Sequence, residues 1–198
     1  MNVKITSRHE LLAGFWWSQL EFNRYQIEID LLTATRDIVE QNIAFLRMRY
    51  IIEDALANVV FVQHTETEVI ESLTQAGVQV AVTPEEPVDQ IIGMILHSKL
   101  SAVTEGRVIV RSVRLSSTKG DDIVYEHDDA EFNPLMEQAG WWSNLEPDDV
   151  ETVGDDDRIS VITAGRHWRD LDMPWSETEE SDSTENVVVF GEFRRDED

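Results

Sequence analysis

The chain has 198 residues, 41% of them hydrophobic, no cysteine, and a formal net charge of −24. That length fits one medium domain with an appended segment, and that apolar fraction excludes global disorder. The missing cysteine excludes disulfides, thiolate nucleophiles and cysteine-held zinc. The charge excludes direct, nonspecific binding to nucleic acid, which is driven by neutralising phosphates.

The charge is unevenly divided. Residues 1–120 hold 15 acidic and 11 basic side chains, whereas residues 121–198 hold 25 acidic and 5 basic ones. Only 3 of the 16 basic residues are lysines, a halophilic-like composition, but salt adaptation would spread acid over the whole surface rather than concentrate it in one segment. The first ten residues already carry charge and hold no signal-peptide core, and no apolar run approaches the roughly 18 residues of a membrane span. A soluble, cytoplasmic protein with no membrane contact is the expectation.

In chain order, Ser7 and Glu10 have the spacing of a capping box. Leu11, Phe15, Phe22, Tyr25, Ile29, Leu32, Val39, Ile43, Leu46 and Tyr50 then recur in steps of mostly three or four residues. This predicts one long helix, or two broken near 33–35, ending around Ala57. The competing reading makes 25–31 a strand by strict alternation. A continuous helix over 11–50 would be about 60 Å long and would overhang its own domain, so self-association through it is expected.

Residues 59–62 read as a short buried strand. Thr65 and Glu68 repeat the capping-box spacing at the start of a helix that stops at Gly77, and 78–82 is the next strand; together they form a compact parallel βαβ unit. The clearest core segment is 87–115. Pro87 opens a helix carrying Val88, Ile91, Ile92, Ile95, Leu96, Leu100 and Val103; Gly106 stops it, and a β-branched strand follows. A turn at Lys119 and Gly120 returns the chain as a hairpin partner around 123–125. Arg107, Arg111 and Arg114 form the one basic concentration; regular pleating puts the first two on one face and the third on the other. Beyond His127 the chain is acidic and turn-rich, interrupted by two strand-like islands at 159–162 and 187–190.

The expected fold is therefore α/β, or α+β: a small mixed sheet around a βαβ unit, covered by N-terminal helices. Residues 1–127 form the body and 128–198 an acidic, partly ordered extension with two edge strands. Two functional readings follow. The first, which these residues favour over an enzyme, is a non-catalytic interaction protein that needs no cofactor or metal. It would present Trp16, Trp17, Trp141, Trp142, Asp155, Asp156 and Asp157 to a protein with a basic surface, as a nucleic-acid charge mimic or a viral or mobile-element accessory factor does. The second is a metal-assisted hydrolase built from His64, His127 and Asp128, although no histidine pair has helical ligand spacing. The acidic loops lack calcium-binding periodicity, and 116–120 lacks the spacing of a phosphate loop.

Overall fold

The computed structural model describes residues 3–121, 123–128, 140–147 and 166–175. Its frame is a six-stranded mixed sheet, order β4-β3-β1-β2-β5-β6. The expected α/β class and the small mixed sheet are present. The N-terminal half of the body, however, is built differently from the expectation.

Strands β1 (Lys4–Trp17) and β2 (Gln19–Thr33) replace the long helix, pairing antiparallel from Lys4 opposite Leu32 to Trp17 opposite Gln19. Ser18 turns the chain with φ +60°. The physical reason is legible in β2, where Asn23, Tyr25, Ile27, Ile29, Leu31 and Thr33 are all buried, a strict period of two. The three- and four-residue steps of the apparent helical stripe sampled both faces of a hairpin: Tyr25 is fully buried while Phe22 is 68% exposed. Ser7 lies mid-strand and caps nothing. Self-association through an overhanging helix loses its premise.

The first helix, α1 (Ile38–Tyr50), starts where the Asp37 side chain accepts from the Val39 N–H at 2.8 Å. It runs into one π-helical turn, Ile51–Ala55. The βαβ unit follows as expected, with β3 (Val60–Gln63), α2 (Thr67–Gln75) and β4 (Val80–Thr83), its two strands parallel. The second capping box is not used, because Glu66 is the N-cap residue and makes no side-chain bond. Helix α3 (Asp89–Thr104) and β5 (Val108–Ser117) bear out the 87–115 reading, with Glu105 and Gly106 both left-handed at the helix end. Strand β6 (Tyr125–Asp128) closes the expected hairpin.

Register along β5 shifts opposite Asp30 and Leu31, leaving Arg111 unpaired. This bulge lets Val110 and Val113, an odd number of residues apart, both face the core. It also breaks the regular pleating expected of the arginines. Arg114 pairs with Glu28 and Asp30, Arg107 lies 3.8 Å from Glu40 and 3.5 Å from Glu105, and Arg111 is exposed.

The main core lies between one sheet face and helices α1 and α3. A smaller cluster on the opposite face sets α2 over β3 and β4, with Phe61 and Ala81 in the main core and Val60, Val62, Val80 and Val82 in the smaller one. Helix α3 is buried almost all round, because residues 140–147 cover its outer side. Lys99 donates to the Asn144 and Glu146 carbonyls at 2.9 and 2.7 Å, and Trp141 donates to the Val82 carbonyl at 2.9 Å. Residues 166–175 are held by Arg47, whose guanidinium stacks 4.6 Å from Trp168 and 3.8 Å from Trp175 and bonds Glu105 at 2.9 Å. Trp141, Trp142 and Trp168 thereby join the core. The strand-like islands at 159–162 and 187–190 lie outside the described residues. No helix among the described residues is long and apolar enough to cross a membrane.

Candidate functional site

A cleft of about 360 Å³ opens where the β1–β2 hairpin, the N-terminus of α3 and the β5–β6 turn meet. Strand alternation aims Glu21, Asn23 and Tyr25 of β2 to one side. Phe15 and Trp17 of β1 add aromatic wall, and Trp17 is 60% exposed at the mouth. The loop closed by Pro87 delivers Asp89 into the first turn of α3, and the β5–β6 turn supplies Lys119, Gly120, Asp121 and Ile123. Gly120 lets the turn lie close to these side chains: a Cβ there would displace the Asp89 carboxylate and stand 3.2 Å from Ser117 Oγ.

The floor is polar and incompletely bonded. Behind it, and not itself lining the cleft, Ser117 faces Tyr25 across β2 and β5 and lies beside Asp89. Tyr25 Oη, Ser117 Oγ and Asp89 Oδ2 are each buried without a hydrogen-bond partner among the described residues. Asn23 and Ser117 are near enough to favour ionisation of Tyr25 and Asp89 respectively, yet neither pair closes a bond of normal geometry. Burial pushes the Asp89 carboxyl above the usual aspartate range, with Ser117 opposing. Burial likewise pushes the Tyr25 phenol up, so it stays protonated as a donor. Asn23 is itself fixed, its Oδ1 accepting from Thr118 Oγ1 at 2.8 Å and the Arg24 N–H at 2.9 Å. At the rim Lys119 pairs with Glu21, which holds that carboxylate below its ordinary range.

The residues singled out from sequence fall elsewhere, apart from Trp17. His64 follows β3 and His127 lies on β6, with β1, β2 and β5 between them. At about 4.8 Å per strand that is roughly 19 Å across the sheet. The hydrolase site of His64, His127 and Asp128 is therefore not assembled. His127 is packed against Gly93 of α3, where a Cβ would come within 2.7 Å of its ring. Among the described residues no group of three His, Asp or Glu side chains is placed to hold a metal ion. Trp141 and Trp142 are 1% and 4% exposed, stacked edge to face at 6.0 Å under the body, and cannot anchor a partner at the surface. Trp16 packs against the smaller core cluster. Asp155, Asp156 and Asp157 lie outside the described residues. Asp89 and Tyr25 escaped the sequence reading as site residues. An acidic side chain two residues after a proline, at a helix start, was the available signal for Asp89, and strand alternation was the signal for Tyr25.

No protein-family model matches the chain, and no curated protein matches it by sequence. Among solved structures it is similar to the uncharacterized protein WS1659 from Wolinella succinogenes, at 14% identity over 65% of this chain and 99% of that one, with a TM-score of 0.44. It is also similar to 6-pyruvoyl tetrahydropterin synthase of Plasmodium vivax (8% identity, 64% of this chain and 97% of that one, TM-score 0.42) and of Plasmodium falciparum (8%, 64% and 96%, 0.41). The expectation of a non-catalytic acidic interaction protein is corrected on the geometry: Trp141 and Trp142, two of its expected anchors, are buried in the core.

Proposed function

We propose that the protein binds a small, ring-bearing molecule with hydrogen-bond donors in the cleft over Tyr25, and that Asp89 exchanges a proton with it as a general acid–base. One observation carries this reading: Tyr25 Oη, Ser117 Oγ and Asp89 Oδ2 are buried together without partners. Each such group costs about 1–3 kcal/mol if nothing satisfies it, so a folded chain keeps three in one place at a stability cost that a ligand can offset. A concave, largely apolar pocket with a few convergent polar groups and one carboxyl of raised pKa is the form small-molecule sites take.

The chemistry of the ligand follows from the lining. Glu21, Glu86, Asp89 and Asp121 face a single ammonium, Lys119, which Glu21 already engages. That field favours a neutral or cationic donor over an anion. Trp17 and Phe15 offer faces for a ring. A carboxyl shifted upward spends more of its time protonated near neutral pH, which suits it to give and take a proton in one cycle.

The test is a titration of amino-substituted aromatic heterocycles and their carboxylate analogues against the full chain, by calorimetry and tryptophan fluorescence. Donor-bearing rings should bind and the carboxylates should not. Tyr25→Phe should weaken binding about fivefold, the worth of one hydrogen bond of about 1 kcal/mol. If no donor-bearing ring binds, or Tyr25→Phe and Asp89→Asn bind every ring as the unaltered chain does, the reading fails.

A further inference from the structure

Far along β1 from that cleft, and independent of it, the inward face of the strand carries a polar interruption. Ile5, Leu11 and Ala13 face the core at alternate positions, but between them the same face presents Ser7 and His9. Side chains two apart on a strand share a face, so the two meet: Ser7 Oγ lies 2.6 Å from His9 Nε2. The other ring nitrogen, Nδ1, lies 3.1 Å from Glu53 Oε1. With that carboxylate accepting the Nδ1 proton, Nε2 is left to accept from the serine hydroxyl.

Each member is held in place. Glu53 lies in the π-helical turn, a geometry that recurs at functional sites, and also accepts from Arg49 Nε at 2.6 Å. Arg49 first, and His9 after it, hold the Glu53 carboxyl below the usual range, so it is ionised and able to support an imidazolium. The His9 side chain is 11% exposed, which shields it from bulk water, while Ser7 is partly exposed at the margin of the sheet.

Among the described residues the strand edge beside them is open, since β1 pairs with β3 only at Gly14 and Phe15. The Gly14 N–H bonds the Val59 carbonyl, and the Leu12 carbonyl accepts from Asn58, so even-numbered residues of β1 aim their backbone groups to that side. Continued along the strand, this turns the N–H groups of Thr6, Arg8 and Glu10 off the unpaired edge. The Arg8 N–H therefore directly follows the serine, the position from which acyl-transfer enzymes draw an oxyanion donor.

We propose that Ser7, His9 and Glu53 form a nucleophile–base–carboxylate relay that hydrolyses a carboxylic ester bound against the free edge of β1. Ser7 Oγ bonds to the ester carbon, its proton passes to His9 Nε2, and the carbonyl electron pair moves onto oxygen beside the Arg8 N–H. Collapse breaks the bond to the alkoxy oxygen, which leaves as the alcohol with the proton from Nε2. Water then adds to the acyl-serine, giving its proton to Nε2. Release of the carboxylic acid returns that proton to Ser7, so the sum is ester plus water to acid plus alcohol.

The experiment treats the full chain with a fluorophosphonate probe and maps the adduct by mass spectrometry, with p-nitrophenyl acetate turnover in parallel. The adduct is expected on Ser7 of the unaltered protein. His9→Ala should slow labelling and turnover about 100-fold, the lower range for a lost general base. Glu53→Gln should slow both about tenfold, and Ser72→Ala, on α2, should change neither. No adduct on Ser7, or labelling of His9→Ala at the unaltered rate, overturns the proposal and leaves the three residues as a strut between β1 and the π turn.

Discussion

Replacing Asp89 by asparagine should make the protein more stable at neutral pH. Asp89 Oδ2 is buried without a partner, at a cost of about 1–3 kcal/mol when the group is ionised. Its place in the first turn of α3 returns about 0.3–1 kcal/mol through the helix dipole. The balance is a penalty of about 1 kcal/mol that an uncharged isostere relieves, corresponding to a rise of about 2–4 °C in Tm for a chain of this size. The sign with pH follows from linkage. Because burial raises the folded-state pKa above the unfolded one, the unfolded chain loses its proton first as pH rises. The penalty is therefore absent below the ordinary aspartate range, grows as pH climbs towards the raised value, and is constant above it. Thermal unfolding of Asp89→Asn and the unaltered chain, followed by circular dichroism in steps from acid to neutral pH, should give curves that coincide at low pH and separate upward. A variant less stable than its parent at neutral pH would show that the carboxylate is satisfied in the fold, and would remove the main support for its role in the cleft. Stability gained where binding is lost is the expected signature of a functional group held at a cost.

Three further substitutions probe the frame around the site. Trp141→Phe removes the donor to the Val82 carbonyl and should lower stability by about 1–3 kcal/mol, seen as a Tm loss of about 2–12 °C; a loss under about 2 °C would mean the bond is idle. Arg47→Lys keeps the charge but loses the flat stack between Trp168 and Trp175, so protease cleavage within 166–175 should become faster with a Tm drop of about 4–8 °C; unchanged proteolysis would contradict that anchoring. Gly93→Ala should destabilise by about 1–3 kcal/mol because the new Cβ meets the His127 ring at 2.7 Å, despite a gain of about 1 kcal/mol in helix propensity. A higher Tm for that variant would mean His127 moves aside freely.

Legibility in the sequence followed how local the determining contacts are. The 87–115 segment and the βαβ unit carry their own punctuation in Pro87, Gly77 and Gly106, and the structure places helices and strands there. The N-terminal hairpin carries none, as its tip is Ser18 in a left-handed conformation without glycine or proline. Apolar side chains also stand on its outer face at Leu12, Leu20 and Phe22, which blurred the alternation into helical spacing. Ser7 and Glu10 match a capping box in sequence, while the partner Ser7 meets, His9, was legible only once 7–9 was read as strand. The cleft draws Tyr25 and Asp89, with Ser117 behind them, from three elements whose adjacency depends on β2 pairing with β5. His64 and His127 do lie at or near strand ends, but on strands four places apart in a sheet whose strand order no spacing rule reveals.

The long hairpin also sets a timetable. Its pairing needs only the turn at Ser18 to close, an event of about 1–10 μs, whereas Thr33 must wait for Val108 before β2 gains its second neighbour. At a synthesis rate of about 5–20 residues per second, that wait on the ribosome lasts roughly 4–15 s. Through it, the row Tyr25, Ile27, Ile29 and Leu31 belongs to a two-stranded ribbon, a form only marginally stable in water. Helix α1, translated directly after the hairpin, brings Ala44, Met48 and Tyr50 into the same core cluster as that row, so it is the first helical segment available to join it.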